Sequence, residues 1–228
     1  MKKSIILLML IIIIFVCGCH KVYGNDRSQL EVLDDENMYF EINTFPRSSL
    51  DNINNDDRLS GLLSSIYMYL GIEKGYITGT GEIAKNNQEY IYGFFNVYDD
   101  CVGYLSGGGN VGVEEINAGY LYSYSITEKK LNIIEKLNKS SIIGYHTKYI
   151  VYWVNKNFYY KETGQEDSTF IIEDEAFDSG FTHYSYVRFK KYKESFEIFM
   201  HVDKGVLFPE CYEKVVTIDW NTLNIKII

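Results

Sequence analysis

Polar and apolar residues alternate along most of the chain after residue 75, and this alternation is the first structural signal in the sequence. A period of two places successive side chains on opposite faces of a β-strand, so each alternating run predicts a strand. Short polar turns separate many of the runs, which favours antiparallel pairing because parallel strands need long crossovers. The predicted strands are 38–42, 76–83, 89–97, 102–105, 119–126, 130–134, 141–154, 158–162, 169–172, 182–192, 195–202, 215–220 and 223–228. The sequence therefore predicts an all-β, antiparallel fold.

One segment has helical spacing instead. Its apolar residues recur every three or four positions, which places them on one face of a helix: Leu59, Leu62, Leu63, Ile66 and Leu70. Asp57 stands where an N-cap would, and Gly71 follows the last apolar residue; both residue types are common at helix ends. We predict a short helix near residues 58–70, with a strand as the alternative.

Three segments share a pattern of an aromatic strand, a polar turn and an apolar strand: 120–134, 157–172 and 215–228. The pattern resembles the outer hairpin of β-propeller blades in many exported bacterial proteins. The first two copies lie 37–38 residues apart, near the length of one blade, and the third follows nearly 60 residues later. The resemblance implies a small or incomplete β-propeller-like meander. A β-sandwich built from the same hairpins is the alternative.

The longest apolar run lies at the N-terminus. Lys2 and Lys3 precede a run over residues 4–16 in which all thirteen residues except Ser4 are apolar. A helix that spans a bilayer needs about 20 apolar residues, so the run is typical of a signal peptide. An uncleaved N-terminal anchor, which would also present the domain outside the cell, is the alternative.

The run ends in Val16-Cys17-Gly18-Cys19, which resembles the bacterial lipobox. Val16 stands where Leu is more usual, and Cys17 where Ala or Ser is more usual. The resemblance implies that the Cys19 thiol receives a diacylglyceryl group and that cleavage precedes this residue. Two or three acyl chains hold a protein stably on a membrane. We therefore expect lipidation at Cys19 and a location on the extracytoplasmic face of the cell membrane.

These boundaries predict a lipoprotein signal peptide over 1–18, an acidic flexible tether over 19–37 and a single β-rich extracytoplasmic domain over 38–228. Residues 1–18 hold two lysines and no acid, so the remainder carries 20 Lys and Arg against 31 Asp and Glu, a formal charge of −11. Such an acidic surface repels nucleic acid, which we exclude as a partner. With 21 Tyr, 13 Phe and only 2 Pro, the composition also favours sheet.

Cys101 and Cys211 are the cysteines of the mature part besides Cys19. Outside the cytoplasm they could form a disulfide, which for a loop of about 100 residues would contribute roughly 4–5 kcal/mol. Two separate buried thiols are the alternative, because spacing alone does not place the two residues within bonding distance.

Other patterns have a plain structural interpretation beside a chemical one. The loop Gly107-Gly108-Gly109-Asn110-Val111-Gly112 matches G-x-G-x-x-G, but no long helix follows it, so we predict a hairpin loop. Two acidic groups could supply oxygens to calcium but are more typical of solvated turns: Glu173, Asp174, Glu175 and Asp178, and Asn52, Asn54 and Asp56. We predict no metal and no cofactor.

The sequence contains no familiar catalytic motif. His146, His183 and His201 occur without the H-x-H or H-x-x-x-H spacing that places two imidazoles on one metal. No G-x-S-x-G or S-x-x-K motif is present. A pair of acids brought together by the fold could still hydrolyse glycosides, because that chemistry requires only spatial closeness.

Aromatic residues occupy both faces of the predicted strands: Tyr122, Tyr124, Tyr152, Trp153, Tyr159, Tyr160, Tyr184 and Tyr186. Most should be core or cross-strand pairs, and a surplus could line a face that recognises sugar or peptide. We therefore predict a membrane-anchored, non-catalytic binding or scaffold module with a protein or glycan ligand of the cell envelope. The alternatives are an envelope glycan or peptide hydrolase with an unrecognised carboxylate site, and a fragment of a larger propeller.

Overall fold

The computed structural model describes residues 30–33, 37–44, 57–71, 76–98, 116–178, 185–204 and 210–228. Its helices are α1 (Asp57–Leu70) and α2 (Glu175–Asp178). Its strands are β1 (Leu30–Val32), β2 (Asn37–Thr44), β3 (Tyr76–Ala84), β4 (Asn87–Tyr98), β5 (Ile116–Ser125), β6 (Lys130–Asn138), β7 (Ser141–His146), β8 (Tyr149–Val154), β9 (Asn157–Glu162), β10 (Ser168–Glu173), β11 (Tyr186–Lys191), β12 (Ser195–Lys204), β13 (Glu210–Asp219) and β14 (Ile225–Ile227).

Within these residues the strands form three open sheets, and the predicted all-β fold is confirmed. The N-terminal sheet has the order β2-β3-β4-β5-β6, the central sheet β10-β9-β8-β7, and the C-terminal sheet β1-β11-β12-β13-β14. Every pairing is antiparallel except that of β1 with β11. A complete propeller has at least about four blades, so the incomplete propeller-like arrangement stays a prediction. The predicted helix near 58–70 is α1.

The three similar sequence segments occupy equivalent places in the three sheets. They form the hairpins β5–β6, β9–β10 and β13–β14, each of which ends one sheet along the chain. The first strand of the hairpin is rich in aromatic residues in β5 and β9, whereas in the third copy the aromatic residue Trp220 directly follows β13.

The layers stack in the order helix, N-terminal sheet, central sheet and C-terminal sheet. Leu62 and Ile66 of α1 are fully buried against one face of the N-terminal sheet. Phe94 of that sheet packs from its other face against Ile142 and Ile150 of the central sheet. A larger cluster, which includes Phe158 and Phe196, lies between the central and C-terminal sheets. The central sheet is thus buried on both faces.

Burial on both faces explains one wrong prediction. Residues 141–154 were predicted as one strand, but they form β7 and β8 with a turn at Thr147 and Lys148. A strand buried on both faces loses its polar alternation and reads as a continuous apolar run. Neither turn residue is Gly, Pro, Asn or Asp, so the turn carried no strong sequence signal.

The structure also differs from the prediction in the segment assigned to the tether. Leu30–Val32 forms the edge strand β1, which pairs with β11, and the Leu33 N–H donates to the Lys191 carbonyl at 2.9 Å. Three residues are too few to show periodicity, which is why the pattern missed this strand.

Helix α1 ends as its sequence predicted. Gly71 adopts a positive φ of 61°, and its N–H donates to the Tyr67 carbonyl at 3.0 Å, which closes the last turn. Among the described residues, no helix has the length and apolarity required to cross a membrane.

One buried side chain fastens the N-terminal sheet to the central sheet. The Asn96 amide nitrogen donates to the Ile142 carbonyl, and the Ile142 N–H donates to the Asn96 amide oxygen, both at 2.8 Å. This amide therefore satisfies backbone groups of β7, which is the edge strand of its sheet among the described strands. It holds one end of the central sheet against the N-terminal sheet.

Candidate ligand-binding cavity

A cavity of about 430 Å³ lies where the three sheets meet. It is lined by Asn37, Tyr39, Glu82, Tyr92, Gly93, Leu121, Tyr122, Ile134, Tyr145, His146, Thr147, Thr163, Lys191, Tyr192 and Lys193. The strands of three sheets and the turns that join them therefore place tyrosines, one carboxylate and two lysines around one space.

An ion pair between two sheets forms the polar centre of the cavity. Lys191 Nζ of the C-terminal sheet donates to Glu82 Oε2 of the N-terminal sheet at 2.7 Å. The other oxygen, Oε1, accepts a hydrogen bond from Asn37 Nδ2 at 3.2 Å. Lys191 follows the buried positions Val187 and Phe189 at a spacing of two, so its side chain shares their inward face. β-strand alternation therefore directs this ammonium group into the protein, where it needs a partner.

Tyrosine rings surround the ammonium group. Lys191 Nζ lies 4.0 Å from the ring centroid of Tyr145, in the central sheet, and 5.7 Å from that of Tyr39. Both distances fall within the range of cation–π attraction. Lys191, Glu82 and Tyr145 each belong to a different sheet, so the polar centre exists only when all three sheets are assembled.

The tyrosine hydroxyls near Glu82 remain protonated. Burial, and after it the negative charge of Glu82, raises the pKa of Tyr122 and of Tyr145 well above the usual value for tyrosine. The Tyr122 hydroxyl donates to the Thr80 carbonyl at 3.2 Å, and the Tyr145 hydroxyl to the Tyr92 carbonyl at 3.3 Å. These bonds fix the rings as rigid walls.

His146 forms another part of the wall. Its Nε2 lies 2.9 Å from the Lys193 carbonyl, which can only accept, so Nε2 carries a proton. Its ring stacks on Trp220 with centroids 5.4 Å apart. Burial lowers the pKa of His146, and so does the charge of Lys191; the carbonyl contact and Glu82 act in the opposite direction. The neutral imidazole is therefore favoured at pH 7.

The acidic group at the end of β10 makes contacts within the protein. Asp174 is buried and accepts from the Trp153 indole N–H at 2.9 Å. Glu175 accepts hydrogen bonds from the Tyr212 hydroxyl and from Lys214 Nζ. These carboxylates attach α2 to the central and C-terminal sheets. Within the part of the chain that the structure describes, no group of three His, Cys, Asp or Glu side chains could hold a metal ion.

The other predicted sites do not line the cavity, as far as they fall on residues that the structure describes. Cys211 is exposed on β13. Partial desolvation raises the pKa of its thiol, and the nearby Asp203 raises this pKa further. His201 lies on β12, with its ring stacked on Tyr186 at 5.0 Å. Several predicted positions lie outside the described residues: Cys19, Asn52, Asn54, Asp56, Cys101, the glycine loop 107–112, His183 and Tyr184. The lipidation and the disulfide therefore stay predictions.

Little of this cavity is predictable from the sequence. Of the aromatic residues singled out, Tyr122 is the one that lines it, and no role was predicted for Glu82 or Lys191. A usable signal was present for Lys191, a charged residue at an inward position of an alternating strand, because such a charge must find a partner. The sequence did not show which partner. Glu82 gave no such signal, because it shares its face of β3 with Thr78 and Thr80 and lies opposite the buried Ile77 and Ile83.

No protein family, curated protein or solved structure matches this chain. Its cavity therefore has to be interpreted from its own geometry.

Proposed function

We propose that this chain is a lipid-anchored extracytoplasmic binding protein and that the three-sheet cavity is its ligand site. The observation that carries the proposal is the buried Glu82–Lys191 pair, which borders a cavity walled by tyrosines. The volume of about 430 Å³ falls within the range of about 300–1,000 Å³ that is usual for small-molecule sites.

The polar centre supports binding because it keeps unused hydrogen-bonding capacity. A lysine ammonium group has three N–H donors, and a carboxylate has about four acceptor positions. Lys191 uses one donor on Glu82, and Glu82 accepts from Lys191 and Asn37 and lies within hydrogen-bonding reach of the Tyr145 hydroxyl. The remaining donors and acceptors can serve a ligand while the ion pair stays intact.

The composition of the wall supports binding more than two-carboxylate hydrolysis. Glycosidases of the common type place two carboxyl groups about 5–10 Å apart. Among the described residues that line the cavity, Glu82 is the one carboxylate, and it is paired with Lys191. The hydrolase remains the alternative function, and it predicts cleavage of a bound ligand.

The anchor completes the proposal. The N-terminal apolar run and the lipobox-like residues support lipidation at Cys19 and attachment to the extracytoplasmic face of the cell membrane. Eleven residues lead from Cys19 to Leu30, and such a segment spans at most roughly 40 Å. Because β1 pairs with the strand that carries Lys191, the tether would keep the cavity close to the membrane.

The anchor is tested by the intact mass of the full chain from membranes, as wild type and as Cys19→Ala. We expect the wild type to begin at Cys19 with added diacylglyceryl, and the variant to keep its full length. A full-length wild type without lipid would contradict the anchor.

The binding site is tested by thermal unfolding of the full chain with four ligand classes: neutral oligosaccharides, acidic oligosaccharides, short peptides and nucleotides. We expect one class to raise the unfolding midpoint by at least about 2 °C in the wild type and less in Tyr92→Ala. No shift with any class would contradict the binding proposal. Cleavage of the stabilising ligand would support the hydrolase instead.

A further inference from the structure

The interior of the cavity is electrically balanced. Glu82 and Lys191 lie 2.7 Å apart and neutralise each other, and Lys193 is at the exposed rim. Among the described residues that line the cavity interior, a charged ligand would therefore find no unpaired opposite charge. A zwitterion would have to separate the existing pair to use both of its charges, and separating buried charges is costly.

A hydroxyl group suits this centre better than a charged group does. It is both a donor and an acceptor, so neighbouring hydroxyls can donate to a carboxylate and accept from an ammonium group at once. Glu82 and Lys191 present these two complementary groups side by side. A polyhydroxylated ligand can therefore bind both while the ion pair remains intact.

An aromatic platform continues from the cavity to the surface. Tyr90 and Tyr92 stand two residues apart on β4, with ring centroids 6.2 Å apart and ring planes tilted by 35°. Their side chains are 36% and 41% exposed, and Tyr92 also lines the cavity. Ile134, which is exposed as well, forms another part of the rim. Such rigid rings offer a ligand contact area at low entropy cost.

A sugar chain has the complementary surface. The C–H groups of each ring form an apolar face that packs on an aromatic side chain, and the hydroxyl groups at the edge form hydrogen bonds. The buried Glu82 and Lys191 can contact one sugar ring inside the cavity. The exposed rings of Tyr92 and Tyr90 can contact the next sugar ring along the chain.

Resting on the binding function proposed above, we propose that the ligand is a neutral oligosaccharide. One sugar ring lies in the cavity against Glu82 and Lys191, and the next stacks on Tyr92 and Tyr90. In this arrangement the two exposed tyrosines are binding residues, and the ion pair forms hydrogen bonds with the hydroxyl groups of the sugar.

The test is calorimetric titration of the full chain in a detergent without a sugar headgroup. The probes are an N-acetylglucosamine tetramer, a galacturonic acid tetramer and tetra-alanine. We expect the neutral tetramer to bind and the other two to bind at least about tenfold more weakly.

Two variants test the contacts, each with a matched control. Tyr92→Ala removes a platform ring, and its control Phe170→Ala removes an exposed ring from β10 that does not line the cavity. Glu82→Gln removes the cavity carboxylate charge, and its control Glu213→Gln does the same in an exposed, paired glutamate outside the cavity. We expect each cavity variant to weaken neutral binding by about tenfold or more, and each control to leave it unchanged.

The outcomes separate the ligand class from the site. Failure of the neutral tetramer to bind would overturn the proposal, as would neutral binding that Tyr92→Ala and Glu82→Gln leave unchanged. If tetra-alanine or the acidic tetramer binds instead and Tyr92→Ala weakens it, the ligand class is wrong while the binding site stands. Because Tyr92 is exposed, Tyr92→Ala keeps the test valid if Glu82→Gln does not fold.

Discussion

Two lysine–glutamate pairs connect the N-terminal sheet to its neighbours, and they are alike in chemistry and burial. Lys161 of the central sheet pairs with Glu135, and Lys191 of the C-terminal sheet pairs with Glu82. The side chains of both lysines are 9% exposed. Each pair thus places a charged group of one sheet against an opposite charge of another.

The two pairs differ in what the second carboxylate oxygen contacts. Glu135 Oε2 accepts from the backbone N–H of Gly164 at 2.7 Å, so a turn closes over this pair. Glu82 Oε1 accepts from the Asn37 side chain at a longer 3.2 Å, and Glu82 borders the cavity. One kind of ion pair can therefore connect two sheets only, or can also present hydrogen-bonding groups to a ligand. The groups around the pair decide which.

The largest loss of stability is expected when one partner is removed from the Lys161–Glu135 pair, over which the turn at Gly164 closes. Lys161→Met should reduce the free energy of unfolding by about 3–5 kcal/mol, because Glu135 is left charged and enclosed. Lys191→Met should cost less, about 1–3 kcal/mol, because water entering the cavity can hydrate Glu82. Denaturant unfolding measures both losses. The double variant Lys161→Met with Glu135→Leu should recover much of the first loss, and equal losses in the two single variants would contradict the comparison.

The next largest loss of stability is expected from replacing the glycine beside each ion pair. A Cβ on Gly93 would lie 2.0 Å from the Thr80 carbonyl oxygen, so Gly93→Ala should cost about 1–3 kcal/mol by overpacking. Gly164→Ala meets nothing within 4 Å, but its φ is 80°, so it should cost about 1 kcal/mol through backbone strain. Thermal unfolding of the two variants measures the difference. A larger loss in Gly164→Ala would show that the strain at the turn outweighs the crowding at the cavity.

A smaller effect is expected at the strand beside Lys191. Leu30 of β1 is partly buried against two hydrophobic clusters, so Leu30→Ala should cost about 1 kcal/mol. Its control is Leu33→Ala, because Leu33 is 46% exposed and should change the unfolding free energy by less than about 0.5 kcal/mol. Identical unfolding of Leu30→Ala and wild type would contradict the assignment of β1 to the folded domain.

The smallest effect is a pH dependence at the cavity. The folded state holds the pKa of His146 below 6.5, so it favours the neutral ring, while the unfolded chain takes up a proton near pH 6.5. The contribution of His146 is therefore present above pH 6.5 and is lost as the pH falls through the folded pKa. His146→Gln should show a shallower fall in unfolding midpoint between pH 7.5 and 5.5 than wild type. His201→Gln, outside the cavity, is the control; parallel curves for wild type and His146→Gln would contradict this role.

Much of the fold could be predicted because its signals are local. Alternation located most strands, and the spacing from Leu59 to Leu70 located α1. The similar segments marked the final hairpin of each sheet. The failures have local causes as well: the turn at Thr147 and Lys148 lacks turn residues, and β1 is too short to show a period.

Local sequence is enough to locate the alternating strands, the helical segment, the repeated hairpins and the end of the apolar N-terminal run. The contact of Lys191 with Glu82, 109 residues away and beside Tyr145 of a third sheet, arises only when the sheets pack together. Period-two alternation sends a side chain to the inner face, but it carries no information about which strand of another sheet lies opposite. The cavity is formed by the stacking of sheets, and for that reason no sequence motif predicts it.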